Sequence, residues 1–372
     1  MLTGDCKWCQ EKRINEEKSM TIEDLRNTIK PADENCMEQA RNRWMTVAKP
    51  LFSLGKLEEA VIRMAGMKRT AEYTLDQKGL VVMCADNGVV EEGVTQTGQE
   101  VTAVVAANFT KPDAVSTSIM AETAGVDVFP VDIGMAVDVP SVTRAGQKVA
   151  YGTKNFAKEP AMTRDEVWSA ISVGIEQVRH LKAQGYQILG TGEMGIGNTT
   201  SSSAVCAVLL GREVEEVTGK GAGLTAEGLT QKIRVIREAI HLHQPDAEDV
   251  VDVLSKVGGL DIAGLTGVYL GGALYHVPVV LDGFISSTAA LCAARLVPAA
   301  RDYMLPSHVS KEPAGQMVLD ALELSPLLTC DMSLGEGSGA VAVMPLLEMG
   351  LQVYRKMSTF EEIQIQSYEV LD

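Results

Sequence analysis

Positive charge is in short supply in this 372-residue chain: 33 Lys and Arg stand against 49 Asp and Glu, a formal net charge of -16. Such a field repels phosphodiester backbones and anionic lipid headgroups. It opposes nucleic-acid or membrane-surface binding and requires any anionic substrate to be held by local groups. Long apolar runs are also missing. Stretches such as Ala204 to Leu210 are far shorter than a bilayer span, and Met1 to Cys9 carries no apolar leader. The seven cysteines are odd in number and irregularly spaced, which argues against a disulfide framework and for a reducing compartment, so the expected location is the cytoplasm. No histidine spacing resembles a zinc site, because His180, His241 and His243 sit in polar helix surroundings. Cys6 and Cys9 form a C-x-x-C pair with no second pair to complete a ligand set.

What is present is ample core material, 46% hydrophobic residues, enough for one large domain with an appended smaller one. Helix-forming segments run from about Glu17 to Thr70, with one opening after Thr21, one over Asp33 to Ala48 and one over Leu57 to Met64. At Gly79 to Asp86 the pattern changes to a short continuous apolar run, the signature of a strand buried on both faces. Similar runs recur at Val126–Phe129, Ile188–Leu189, Val277–Leu281 and Tyr303–Leu305. Helical patterns fall between them at Glu100–Phe109, Ala114–Ala124, Arg164–Leu181, Thr199–Leu210, Thr225–Ile240, Ala247–Val257 and Thr288–Ala294. Strand and helix in alternation specify an α/β protein with a parallel sheet. Ala340–Met349 and the tail near Phe360 to Glu362 return to helix-like sequence and are expected to join the N-terminal helices.

Glycine concentrates where chemistry is expected. Gly190-Thr191-Gly192-Glu193-Met194-Gly195-Ile196-Gly197-Asn198-Thr199-Thr200 follows a strand-like run and precedes a helix, so backbone amides at the helix start form an anion site. No Gly-Lys-Ser/Thr follows. Gly190, Gly192 and Gly195 have the spacing of a dinucleotide fingerprint, with Glu213 at about the right distance beyond. The helix, however, opens only near Thr199, which favours a single phosphate over a dinucleotide. A second cluster, Gly219 to Gly223, precedes a helix carrying Lys232, and either Lys220 or Lys232 could complement the first loop. Glu336 stands among Gly335, Gly337 and Gly339, where a partly desolvated yet reachable carboxylate serves as a general base or as a helix-entry acid. Asp86 and Asp282 each end a strand-like run, placed either to take a ribose hydroxyl or to cap a loop. Ser307 to Glu312 follows another such run and lines the same crevice.

Taken together, these motifs resemble the nicotinate-nucleotide:dimethylbenzimidazole phosphoribosyltransferases of cobamide biosynthesis. The similarity runs through Val82 to Val89, Gln99 to Ala103, Gly152 to Ala157, Gly192 to Thr200, Val280 to Ile285 and Leu334 to Gly339. It implies a parallel-sheet, Rossmann-like three-layer α/β core, residues 71–344, with a second, smaller helical domain built from both chain termini, residues 1–70 plus 345–372. It also implies a homodimer and transfer of phosphoribosyl from nicotinate mononucleotide to a benzimidazole, purine or phenolic base, with no metal and no cofactor. By motif match Glu336 is similar to the general base and Glu193 to its supporting carboxylate. Lys232, Gly195, Gly197, Asn198, Thr199, Thr200, Gly221, Gly223 and Ser310 resemble the phosphate-binding set.

Two departures bear on the acceptor. Many members carry His where this chain has Asn87, and a Ser-x-Tyr-Pro-like stretch where it has Thr95-Gln96-Thr97-Gly98, part of the family's base pocket. The Tyr falls on Thr97, so stacking surface and hydrogen-bonding groups both differ, and an altered base preference is expected. Relatives that activate adenine or phenols, the latter as one subunit of a heteromeric enzyme, define the alternative. A non-catalytic regulatory homologue is a further one, opposed by retention of Glu336, Glu193 and Lys232.

Overall fold

The computed structural model describes residues 20–111 and 113–369, so Cys6 and Cys9 lie outside the described residues. Five parallel strands, β1 (Lys78–Ala85), β2 (Val126–Gly134), β3 (Ile188–Met194), β4 (Val279–Leu281) and β5 (Met304–Pro306), form one sheet in the order β2-β1-β3-β4-β5. The chain builds outward from β1 to β2, then crosses back to lay β3 on the other side of β1. The direction of winding therefore reverses between β1 and β3, and the crevice at their carboxyl ends is where a doubly wound sheet binds its ligand.

Helices cover both faces. Leu80 of β1 meets Gly337 at the start of helix Ser338–Lys356, whereas Met83, three residues on and so on the opposite face, meets Gly264 of helix Leu260–Tyr275. Helix Leu260–Tyr275 is absent from the sequence-based assignment. It is apolar on all sides and buried from Leu260 to Ala273, so it shows no amphipathic period, and its glycines suggest a loop. Those glycines belong to a helix crossing. A Cβ on Gly267 would fall 2.0 Å from the Ile171 carbonyl oxygen of helix Arg164–Ala183, and one on Gly174 would fall 2.0 Å from that of Gly264.

Strand β3 also differs from expectation. Gly190 and Gly192, expected in a phosphate loop, are inside the strand, in register with Leu80 and Val82. Gly192 is bare because the Glu336 loop lies on it: a Cβ there would come within 2.6 Å of the Glu336 carbonyl oxygen. This removes the dinucleotide fingerprint, since its first glycines are strand rather than turn.

The two ends of the chain meet. Helix Ile22–Thr28 packs on helix Leu260–Tyr275, whereas helices Glu34–Thr46 and Lys56–Lys68 pack beside the C-terminal half of helix Ser338–Lys356. A Val47–Thr359 bridge, the Ala48 N–H donating to Ser358 O at 2.9 Å and the Trp44–Tyr354 ring pair at 5.3 Å join them. The helix runs unbroken through Met344 and Pro345, across the expected domain boundary. Beyond it, residues 360–364 form a turn rather than the helix-like segment expected. The Met357 backbone is extended, and Thr359 and Glu362 hydrogen-bond each other reciprocally. Among the described residues no helix is long and apolar enough to cross a membrane.

Candidate active site

The carboxyl ends of β1, β3 and β4 carry Asp86, Glu193 and Asp282, all buried. Glu336 is brought to them by a loop with an uncommon backbone: Gly335, Glu336 and Gly337 have φ of +81°, +61° and +86°. A non-glycine residue in the left-handed region costs on the order of 1 kcal/mol or more and persists only where its surroundings impose it. Here they do. The Asp282 carboxylate accepts the N–H groups of Gly337 at 3.0 Å, Gly339 at 2.7 Å and Ala340 at 3.3 Å. Glu193 Oε1 accepts the Glu336 N–H at 3.4 Å. Of the two roles open to Asp282, the structure occupies it as the cap of this loop.

The Glu336 side chain is half-buried and accepts a hydrogen bond from Thr117 Oγ1 at 3.1 Å. Burial raises its pKa; Thr117 opposes the rise, and the Asp282 charge adds to it. A carboxylate that is basic yet reachable is a competent proton acceptor. Thr117 comes from helix Ser116–Ala124, and nothing in its local sequence marks it as a site residue.

Beneath Glu336, Glu193 Oε2 accepts from Asn198 Nδ2 at 2.5 Å, and the same amide donates to Asp261 Oδ2 at 2.9 Å. The Asn198 backbone N–H goes to Gly195 O. Asn198 thus directs both side-chain hydrogens to carboxylates and its backbone N–H to Gly195, where the sequence leads to the expectation of a phosphate contact. Asp86 Oδ2 accepts the Ala136 N–H at 2.7 Å and so fastens the turn after β2, and burial raises its pKa.

The second half of the site is built around Lys232, on helix Ala226–His243 and fully buried. Its Nζ donates to Thr199 Oγ1 at 2.8 Å and to Gly219 O at 3.2 Å, both neutral oxygens. Burial lowers its pKa to about 8, with the Glu312 charge pulling the other way. Gly221 sits beside it: a Cβ there would lie 2.8 Å from Thr199 Oγ1 and 3.5 Å from Nζ. Gly197, with φ of +95°, caps helix Asn198–Leu210, and the buried Thr200 hydroxyl on its first turn has no protein partner. The buried ammonium thus meets the first turn of this helix through Thr199, and a helix N-terminus beside a lysine favours an anion. Ser310 Oγ accepts the Glu312 N–H at 3.3 Å, and the Glu312 carboxylate packs against Gly219.

The segment of residues 95–99 links the two halves. The exposed Gln96 donates through Nε2 to Gly223 O, Thr95 Oγ1 donates to Thr97 O at 2.8 Å, and Gln99 Nε2 donates to Asn87 O at 3.1 Å. Thr97 is exposed at the tip of this segment. Sequence reasoning missed Thr117 and Asp261. The last had a signal, a lone acid opening an apolar run.

A family model described as "Phosphoribosyltransferase" matches residues 29–365. The chain is 45% identical over 353 residues to the nicotinate-nucleotide–dimethylbenzimidazole phosphoribosyltransferase of Ruminiclostridium cellulolyticum, spanning 95% of this chain and 100% of the relative. It is 47% identical over 337 residues to the protein of that name from Chloroflexus aggregans, spanning 90% and 95%. The crystal structure of CobT from Thermus thermophilus superposes with a TM-score of 0.83 at 37% identity, covering 90% of this chain and 100% of that one.

Proposed function

This chain belongs to the nicotinate-nucleotide–dimethylbenzimidazole phosphoribosyltransferase family, and from that premise we propose how its residues divide the transfer. The protein moves phosphoribosyl from nicotinate mononucleotide to a lower-ligand base such as 5,6-dimethylbenzimidazole, giving α-ribazole 5′-phosphate and nicotinate. The observation that carries the assignment of parts is the pairing of a buried, ammonium-centred anion receptor with a half-buried carboxylate on the same crevice.

Lys232, Thr199, Thr200 and the Gly221–Gly223 turn hold the 5′-phosphate, which fixes C1′ of the ribose near the ends of β1 and β3. The unprotonated ring nitrogen of the acceptor attacks C1′ on the face opposite the nicotinate. The C1′–N bond breaks, and its electron pair neutralises the pyridinium nitrogen of the leaving group. The acceptor's other ring nitrogen then carries a proton that must leave, and Glu336 takes it. Back-side attack converts the β linkage to α. Glu193 places a second carboxyl beneath the sugar, where positive charge develops. Thr95, Gln96 and Thr97 border the acceptor, whose identity among benzimidazole, purine and phenolic bases follows from that border.

Glu336→Gln tests the division. Acceptor-dependent nicotinate release is expected to fall by about 10²–10⁴-fold in kcat with the donor KM little changed. Turnover near that of the unaltered protein would remove Glu336 from the base role. The family resemblance also implies a homodimer, with a heteromeric enzyme of two different chains as the alternative. Light scattering on the purified protein, followed by the same assay, tests both.

A further inference from the structure

Asn198 stands between two buried carboxylates. Its single NH2 group donates one hydrogen to Glu193 Oε2 at 2.5 Å and the other to Asp261 Oδ2 at 2.9 Å. Asp261 opens the apolar helix Leu260–Tyr275, is fully buried, and uses its other oxygen, Oδ1, to accept the Ile262 N–H at 3.0 Å. Gly195 presses on the same carboxylate, where a Cβ would sit 3.0 Å from Asp261 Oδ2. The amide is thus clamped at both hydrogens, and Glu193 is left with Oε1 directed at the Glu336 backbone.

The titratable groups facing this pair are Cys84 and Asp86 at the end of β1, Asp282 after β4 and Glu336 in its loop. All are acids or a thiol. Two carboxylates sharing one donor in a low-dielectric site disfavour double ionisation, so the unit retains a proton well above the usual carboxylate range. Burial and the neighbouring acids act in that direction on Glu193, and burial takes Asp261 up to about 6.

We propose that Asp261 is a positioning residue for the transfer, acting through Asn198 to hold Glu193 beneath Glu336. The role rests on the reading of the site given above. Without the Asp261 carboxylate, one Asn198 hydrogen has no acceptor, the amide is free to turn, and Glu193 loses both its orientation and the neighbouring charge that helps to raise its pKa.

A double-mutant cycle tests this on nicotinate release, using nicotinate mononucleotide with dimethylbenzimidazole. Asp261→Ala is expected to lower kcat at least tenfold with less than a threefold change in donor KM, and to move the acidic limb of the kcat profile. Asp261→Asn, which keeps an acceptor oxygen for Asn198, is expected to recover a large part of kcat while the limb stays displaced. In a Glu193→Gln background, Asp261→Ala is expected to slow the reaction less than twofold further. Additive losses, or a fall in kcat with the pH profile unmoved, would overturn the positioning role and leave the phosphoribosyl-transfer reading intact. Absence of release from the unaltered protein would instead overturn that reading and the proposal with it. Should Asp261→Ala fail to fold, the Asp261→Asn arm of the cycle with Glu193→Gln decides by the same criteria.

Discussion

Replacing Lys232 with Met separates stability from binding at one atom. The lysine is fully buried and its pKa falls from 10.5 to about 8, because burial penalises the ammonium. That displacement corresponds to about 3 kcal/mol against the folded state at neutral pH. In the unfolded chain the lysine keeps its proton to about pH 10.4, whereas in the folded chain it releases it near 8. Between those values the unfolded chain binds more protons, so this residue's contribution to stability rises with pH and is lost as pH falls through about 8. From pH 7 to pH 10 the unaltered protein should gain about 2.5 kcal/mol relative to Lys232→Met. The variant also leaves the Gly219 carbonyl without its donor, which costs about 1–3 kcal/mol at every pH and offsets much of its advantage at pH 7. The pH-dependent difference is therefore the clean quantity, read as denaturant unfolding of both proteins at the two pH values. The same substitution should raise the donor KM at least about thirtyfold, since a buried charge partner of the phosphate is removed. In the unaltered protein kcat/KM should decline above about pH 8 as the ammonium is lost. Parallel stability curves for the two proteins would refute the buried ammonium, and an unchanged donor KM would refute its pairing with phosphate.

Asp282→Asn should lower stability by about 2–3 kcal/mol in denaturant unfolding, because one carboxylate serves three amides of the Glu336 loop and an amide side chain turns a donor toward some of them. Its kcat should fall more than its donor KM rises, and an unchanged kcat would show that the loop needs no such anchor. Thr97→Tyr restores an aromatic ring at the exposed border of the acceptor site. It should shift product ratios in a mixture of dimethylbenzimidazole, adenine and p-cresol toward the benzimidazole by up to about tenfold, whereas unchanged ratios would place base selection elsewhere. Gly267→Ala puts a methyl group 2.0 Å from the Ile171 carbonyl oxygen and should destabilise the fold by about 3 kcal/mol; a melting temperature within about 1 °C of the unaltered protein would contradict the close helix crossing.

The strand at β1, the acid that ends it and the α/β alternation were legible because a strand buried on both faces writes itself as a continuous apolar run. Lys232 and Glu336 could be singled out from the glycines around them. The segment Gly190–Gly192 was misassigned because glycine marks both a turn and a surface that must lie flat under another loop, and only the position of the Glu336 loop distinguishes them. Helix Leu260–Tyr275 was invisible for the opposite reason: it is buried all round, so it carries no period, and its glycines serve a neighbouring helix rather than a turn. With that helix missing, Asp261 could not be placed. Asn198 was then assigned to a phosphate when its amide was already committed to two carboxylates.

The sheet order explains why so acidic a chain can handle an anionic donor. Reversal of winding between β1 and β3 opens a crevice onto which strand ends project Asp86, Glu193 and Asp282, so the sheet itself supplies only acidic groups. The buried ammonium of the site comes from outside the sheet, on helix Ala226–His243, and reaches the start of the helix that follows β3. On the division of parts proposed above, donor phosphate and developing sugar cation have separate surroundings. In that proposal the phosphate would meet an ammonium and a helix N-terminus, while C1′, between the two halves, would meet carboxyl groups. A mixed distribution of the same residues would attract both ends of the donor to both halves and fix neither. Segregation by structural origin, acids from strand ends and cation from a covering helix, would then hold the donor in one orientation.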